Sequence, residues 1–105
     1  MNTPYVYQLA HGEPPVAEAI RVVMLEAYRV EAALLDVDDF VPLHRTASHI
    51  AATNALFLGV AVAGTLTAVA EVETPEPFHV HIGALVVRPG HFRRGLATAL
   101  LLHIV

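Results

Sequence analysis

The sequence lacks cysteine and lysine and carries little charge of either sign. Without cysteine, disulfides, thiolate metal sites and cysteine nucleophiles are all excluded. All six basic residues are arginines, and they stand against ten acidic residues, so the formal net charge is -4 with histidine neutral. Such a chain has no general cationic field of the kind that attracts nucleic acid or an anionic membrane. We therefore expect neither partner.

Long apolar runs are also missing. The most apolar segment, residues 55–70, is interrupted by Gly59 and Gly64 and falls short of the roughly 20 apolar residues of a membrane span. The first residues show no basic stretch followed by an apolar one, so no signal peptide is evident. With 55% hydrophobic residues over 105 positions, the chain is typical of one folded domain, 1–105, and a cytoplasmic location is expected.

The spacing of apolar residues and the positions of glycine and proline predict the helices and strands. Apolar residues spaced by three and four predict a helix that opens at Pro14 and Pro15 and ends near Asp36. Runs of β-prone residues bounded by glycine and proline predict the strands. The core stripe of the first helix is predicted to be Val16, Ile20, Val23, Ala27, Val30 and Leu34. The other predicted elements are a strand at residues 5–9, a short helix at 46–52 capped by Thr46, strands at 56–62 and 65–72 joined by a turn at Ala63 and Gly64, an interruption at 74–77, a strand at 78–87 and a helix at 95–105.

The stretch from Ile82 to Ile104 carries the most specific chemistry. It reads as a buried strand, an arginine-bearing turn and a helix opened by small residues. The first amides of a helix have no partners inside it, and the helix dipole makes this end slightly positive. Gly95 and Ala97 would let a phosphate approach the backbone, and Arg93 and Arg94 would add charged donors. The pattern favours a turn that binds pyrophosphate. The alternatives are that Arg93 and Arg94 are solvated loop charges, and that Gly95 and Ala97 serve close helix–strand packing alone.

The same stretch resembles the cofactor-binding motif of the GCN5-related N-acetyltransferases (GNAT). Val87-Arg88-Pro89 resembles the Val-x-Pro strand end of the family, and Gly95-Leu96-Ala97 resembles the end of its Gln/Arg-x-x-Gly-x-Gly/Ala turn. Phe92 stands where the family has Gln or Arg, and Arg93 and Arg94 fill the next two positions. The resemblance implies an α/β fold, with a mostly antiparallel mixed sheet flanked by helices as in acyl-CoA N-acyltransferases.

The resemblance also implies acetyl-CoA as cosubstrate and an amine as acceptor. In the family the pantetheine arm runs along the fourth strand, which corresponds here to Leu85, Val86 and Val87. The pyrophosphate lies on the turn, which corresponds to Phe92, Arg93, Arg94, Gly95, Leu96, Ala97 and Thr98. The implied activity is acetyl transfer to an amine of a small molecule or peptide. The alternative is a catalytically inactive CoA-binding or dimerisation module of the same fold.

An amine acceptor must lose a proton before it attacks, so a base is needed near the fourth strand. Glu71, Glu73 and His81 are the local candidates for a catalytic base. Glu71 and Glu73 are two residues apart and therefore share one face of a strand. Histidine is the side chain that titrates closest to neutral pH. No motif distinguishes among the three.

Two further polar patterns have competing interpretations. His79 and His81 could be metal ligands, but two donors fall short of a complete site, and no metal is expected. Asp36, Asp38 and Asp39 could contact a cationic acceptor or could form a solvated helix end.

The sequence ends at an apolar helix, whereas the domain of the GNAT family continues with further strands and a helix. The resemblance therefore covers the N-terminal half of the family domain, and we expect a domain truncated after its cofactor-binding helix. The open sheet edge that this would leave favours a homodimer.

Overall fold

The computed structural model describes residues 5–36, 45–77, 79–91 and 95–104. Four strands form one antiparallel sheet in the order β1-β2-β3-β4, with helices on both faces. This architecture confirms the predicted antiparallel sheet with flanking helices. The elements in chain order are β1 (Tyr7–Gln8), α1 (Pro14–Leu35), α2 (Ala47–Ala52), β2 (Leu56–Val62), β3 (Thr65–Glu76), β4 (His79–Val87) and α3 (Leu96–Ile104).

Local sequence signals set the ends of the helices. Proline begins α1, where a missing N–H costs nothing, and Asp36 ends it in the left-handed conformation with φ 54°. The hydroxyl of Thr46 accepts a hydrogen bond from the His49 N–H at 3.1 Å, so Thr46 caps α2 as predicted. None of the helices in the described ranges is both long and apolar enough to cross a membrane.

The first helix and the short helix cover one face of the sheet. Ile20 and Val23 of α1 and Ile50 of α2 pack with Phe57 of β2 and Val69 of β3, and each of these side chains is at most 1% exposed. Burying a side chain of this size stabilises the fold by about 1.5–3 kcal/mol. This layer fixes the position of α2, and therefore of the residues at its N terminus, over the sheet.

The last helix covers the opposite face. Leu96 and Leu100 of α3 pack in a second cluster with Leu58 and Val60 of β2 and with Ala68 of β3. The two central strands are therefore buried from both sides, which explains why their sequences are apolar at successive positions rather than at alternate ones. The start of α3 is thereby fixed beside the end of β4.

The first strand is shorter than predicted. It covers Tyr7–Gln8 instead of residues 5–9. The N–H of Leu9 still donates to the carbonyl oxygen of Phe57 at 2.8 Å, but the side chain of Leu9 is already buried in the core. Tyr5, by contrast, is 79% exposed and finds no strand partner in the described residues.

The third strand is longer than predicted. It runs to Glu76, through the segment at 74–77 that was predicted to interrupt it. The pairing with β4 shifts between Glu73 and Glu76, so Pro75 lies in an irregularity of the ladder. A proline without an N–H is tolerated at such a position.

Part of the predicted core stripe of α1 is wrong. Leu34 is 81% exposed, and its neighbour Leu35 is 58% exposed, so the end of this stripe faces away from the core. Ala17 and Met24, which the stripe did not include, are buried. The predicted stripe is therefore right over the first part of the helix, where Ile20 and Val23 are buried, and wrong at its last position.

Candidate functional site

The last helix begins just after Gly95, as predicted, and phosphate binding at this helix start stays a prediction. Gly95 has φ +75°, and its carbonyl oxygen accepts the first helical hydrogen bond, from the Ala99 N–H at 2.9 Å. The amides of Leu96, Ala97 and Thr98 therefore have no partner one turn earlier in the helix. Open space surrounds Gly95, so its backbone conformation, rather than crowding, requires glycine. The arrangement can hold an anion.

Three of the residues predicted to bind the cofactor, Phe92, Arg93 and Arg94, lie outside the described residues. The four that follow, Gly95, Leu96, Ala97 and Thr98, form the helix start. Leu96 is buried beneath it, whereas Gly95 and Thr98 are exposed. The backbone at this helix start is thus open to solvent on one side and supported by the core on the other.

The predicted pantetheine-binding residues form the end of β4. Val86 points to the face covered by α1, whereas Leu85 and Val87 pack toward α3. Among the described strands β4 pairs only with β3, so it is an edge strand. The backbone groups along its outer edge are available to an extended ligand in the way that a sheet edge accepts an added strand.

The candidate bases surround an irregularity in the sheet. β4 carries one extra residue, Gly83, where the pairing shifts between Glu71 and Val72. A methyl group at Gly83 would lie 3.6 Å from Glu73 Oε1 and 3.8 Å from Glu71 Cδ. The two carboxylates therefore share one face, as predicted, and Glu73 lies opposite His81 in the ladder. The sheet brings all three candidates together beside the bulge.

Glu71 is held by a side chain that the sequence did not point to. Arg45 donates from Nη1 to Oε1 at 2.6 Å and from Nη2 to Oε2 at 2.8 Å, and the Glu71 side chain is only 8% exposed. The guanidinium also lies 5.9 Å from the centre of the Phe57 ring. The hydrogen bonds to Glu71 raise the pKa of Arg45. Because both carboxylate oxygens accept from Arg45, Glu71 is less available to take a proton than Glu73.

Tyr28 of α1 lies near the same ion pair. Burial raises the pKa of its phenol, which also interacts electrostatically with Arg45 and Glu71. Tyr28 of α1, Arg45 just before α2 and Glu71 of β3 thus form a half-buried polar cluster behind the bulge. The cluster keeps the phenol neutral and the guanidinium charged near neutral pH.

A polar groove of about 380 Å³ borders Glu73 on the side of the α2–β2 connection. His11 holds this connection, since its Nε2 lies 2.9 Å from the carbonyl oxygen of Thr53 and its ring packs on Phe57 with centroids 4.8 Å apart. The groove can accommodate a small polar group next to the Glu73 carboxylate. Its lining residues are Thr53, Asn54, Ala55, Glu73 and Thr74.

The two histidines considered as metal ligands lie at the start of β4. His81 lies opposite Glu73, and His79 lies opposite Glu76. Within residues 5–36, 45–77, 79–91 and 95–104, no group of three or more histidines and carboxylates could hold a metal ion. Of the three aspartates considered as acceptor contacts, Asp36 forms the exposed end of α1, and Asp38 and Asp39 lie outside the described residues.

The fold is that of the acyl-CoA N-acyltransferases. The family model described as the acetyltransferase (GNAT) family matches residues 17–105, and the chain therefore belongs to this family. A curated relative, UPF0157 protein YqkA of Bacillus subtilis (strain 168), is 31% identical over 97 residues. That match covers 92% of this chain but only 28% of the relative, so the chain spans little more than a quarter of that protein.

Solved structures share the fold. A PaiA N-acetyltransferase from Thermoplasma acidophilum, in complex with coenzyme A, superposes with a TM-score of 0.80 at 15% identity, over 98% of this chain and 70% of that one. An aminoglycoside acetyltransferase from an uncultured soil metagenomic sample superposes with a TM-score of 0.65 at 20% identity, over 98% of this chain and 70% of that one. A second aminoglycoside acetyltransferase from such a sample, in complex with sisomicin, superposes with a TM-score of 0.61 at 14% identity. The superposition covers 95% of this chain and 66% of that one.

The side chains that sequence reasoning missed are joined by long-range contacts. Arg45 and Glu71 are 26 residues apart, and Arg88 and Glu26 are 62 residues apart, so no local spacing connects either pair. One signal was present for Arg88. It is a charged residue that directly follows the apolar end of β4, a place where a charged side chain is usually paired.

Proposed function

We propose that residues 1–105 form an N-acetyltransferase domain of the GNAT type, or the N-terminal portion of one, which transfers an acetyl group from acetyl-CoA to an amine of a small molecule or peptide. The observation that carries the proposal is the start of α3, where Gly95 leaves open amides beside the edge strand β4. Membership of the GNAT family and the likeness to an N-acetyltransferase solved with coenzyme A support acetyl-CoA as cosubstrate. The cytoplasmic location and the homodimer expected from the sequence remain proposals.

The proposed cosubstrate lies across the end of β4 and the start of α3. Its pantetheine arm would hydrogen-bond to the backbone of Leu85, Val86 and Val87, and its pyrophosphate would accept hydrogen bonds from the amides of the turn and of residues 95–98. The arginines at 93 and 94 would add charge-assisted bonds to the phosphates. The thioester would then lie toward the bulge at Gly83, on the side where the candidate bases are.

The proposed reaction forms one bond and breaks one. The acceptor nitrogen attacks the thioester carbonyl carbon, the new C–N bond forms, the C–S bond breaks, and CoA leaves as a thiolate. The nitrogen passes its proton to a base. We assign that base to Glu73 or His81, which are exposed and lie opposite each other, and not to Glu71, whose carboxylate is occupied by Arg45.

Binding and turnover test the proposal separately. Calorimetry with CoA should show binding to the wild-type chain, and a free-thiol assay with acetyl-CoA and a panel of amines should show turnover. Binding without thiol release would assign the alternative function, an inactive CoA-binding module. The absence of both would contradict the proposal.

Substitution identifies the base. We expect Glu73→Gln or His81→Asn, whichever removes the base, to lower kcat by about 100-fold, and to remove the acidic limb of the pH–rate profile. Glu71→Gln should leave that limb in place, because it removes an anchoring carboxylate and not the proton acceptor. An unchanged profile in both the Glu73 and the His81 variant would show that the base lies elsewhere.

A further inference from the structure

Arg88 connects three elements at the point where the chain leaves β4. Its Nε donates to Glu26 Oε2 at 2.7 Å and its Nη2 donates to Glu26 Oε1 at 2.8 Å, a two-bond contact to the middle of α1. Its Nη1 reaches the carbonyl oxygen of Leu66 at 3.4 Å. Because the guanidinium is planar and its donors are fixed relative to one another, these contacts set the orientation of the whole side chain.

The backbone of Arg88 begins a tight turn. Its N–H donates to the Thr67 carbonyl oxygen at 2.9 Å, which extends the pairing of β4 by one residue. Its own carbonyl oxygen accepts from the His91 N–H at 3.2 Å. Pro89 and Gly90, with φ +89°, occupy the two central positions, the combination that a type II turn requires. Arg88 is thus the first residue of the turn that leads toward α3.

The two residues that follow Arg88, Pro89 and Gly90, are exposed. Among the described residues of the connection, the side-chain hydrogen bonds to α1 and β3 are those of Arg88, while the buried Nδ1 of His91 has no described partner. Arg88 therefore supplies the side-chain hydrogen bonds that hold the described part of this turn against α1 and β3.

We infer that Arg88 is a positioning residue for the cofactor: its clamp on Glu26 holds the 88–91 turn in place at the end of β4, where the pantetheine arm of the cofactor would lead on to its pyrophosphate. The inference rests on the proposed function, since the cofactor is the ligand that would lie across both. Both groups are charged at neutral pH, because the hydrogen bonds from Arg88 lower the pKa of Glu26. The pair thus links α1, on one face of the sheet, to a turn whose helix packs on the other face.

Two single variants and one exchange test the clamp. In Arg88→Met and in Glu26→Gln, we expect the KM for acetyl-CoA and the Kd for CoA to rise by about fivefold or more, with the KM for the acceptor unchanged. The exchanged variant, Glu26→Arg with Arg88→Glu, should bring both values back toward the wild type. A loss of stability alone would not produce this pattern.

The chain offers a matched control. Arg21 and Glu18 form the same kind of two-bond contact, but entirely within α1. Arg21→Met should leave the KM for acetyl-CoA unchanged. Ile50→Val, which weakens the core beneath α2, controls for general loss of stability and should also leave it unchanged.

A measurement without cofactor keeps the inference independent of the activity. Hydrogen exchange of the His91 amide reports the turn directly, and we expect it to quicken in Arg88→Met and Glu26→Gln but not in Arg21→Met. Unchanged exchange at His91 would overturn the inference whether or not CoA binds. Faster exchange in a protein whose wild type binds no CoA would support the clamp and contradict the proposed function.

Discussion

The ion pair between Arg45 and Glu71 lies next to the bulge at Gly83 and joins the residue before the cap of α2 to β3. Glu71 lies on a buried part of β3, where an unpaired carboxylate would be costly. Arg45 satisfies both oxygens, and the ring of Phe57 supports the guanidinium from one side. The pair fixes the N-terminal approach to α2 over the sheet, and it leaves Glu73 as the carboxylate that faces the groove.

Removing Arg45 should therefore affect stability more than the chemistry. We expect Arg45→Met to lower the free energy of unfolding by about 3 kcal/mol, because it leaves the Glu71 carboxylate buried without a partner. The double variant, Arg45→Met with Glu71→Met, should recover most of that loss, since both charges are then absent. Urea unfolding of the two variants measures the difference, and equal losses in both would show that the pair is not what the single substitution disrupts.

The strands and helices were largely predictable, because their signals are local. Proline at the start of α1, a hydroxyl before α2 and Ala63–Gly64 between β2 and β3 each act within a few residues of the boundary they set. The passage of β3 through Pro75 was not predictable, since it depends on a register shift that only the pairing with β4 creates. The candidate site shows the same difference between local signals, which were predictable, and long-range contacts, which were not. The helix start at Gly95 was predicted, whereas the partners of Glu71 and Arg88 were not.

The turn between β2 and β3 allows a direct test of such a local signal. Ala63 and Gly64 have φ of 52° and 81°, and two positive values are typical of a type I′ hairpin turn. Alanine is strained in this conformation, whereas asparagine tolerates it. We expect Ala63→Asn to raise the free energy of unfolding by about 0.5–1 kcal/mol, measured by urea unfolding. Gly64→Ala should lower it by a similar amount, and a gain from Gly64→Ala would contradict the assigned turn.

The molecule as a whole holds helices on opposite faces of one sheet, and charged pairs contribute to that arrangement at its margins. α1 contacts the turn after β4 through Glu26, while α3 follows that turn onto the other face. Apolar burial supplies the cohesion within each layer, and Arg88 connects the α1 layer to the chain that becomes α3. The acid stability of the fold should reflect this connection.

Hydrogen bonds from Arg88 lower the pKa of Glu26 in the folded protein, whereas an unfolded glutamate titrates near a pKa of about 4.3. A group with a lowered folded pKa contributes stability above the unfolded pKa, and that stability is lost as the pH falls through the folded pKa. We therefore expect the melting temperature of the wild type to exceed that of Glu26→Gln at pH 7, and the difference to shrink as the pH falls below the unfolded pKa and through the lowered folded pKa. Arg88→Met should converge with the wild type over the same interval, because protonated Glu26 no longer forms the ion pair in either protein. Since both side chains are partly exposed, the difference at pH 7 should be small. A difference that persists unchanged down to pH 3 would show that the charge of Glu26 does not stabilise the junction between α1 and β4.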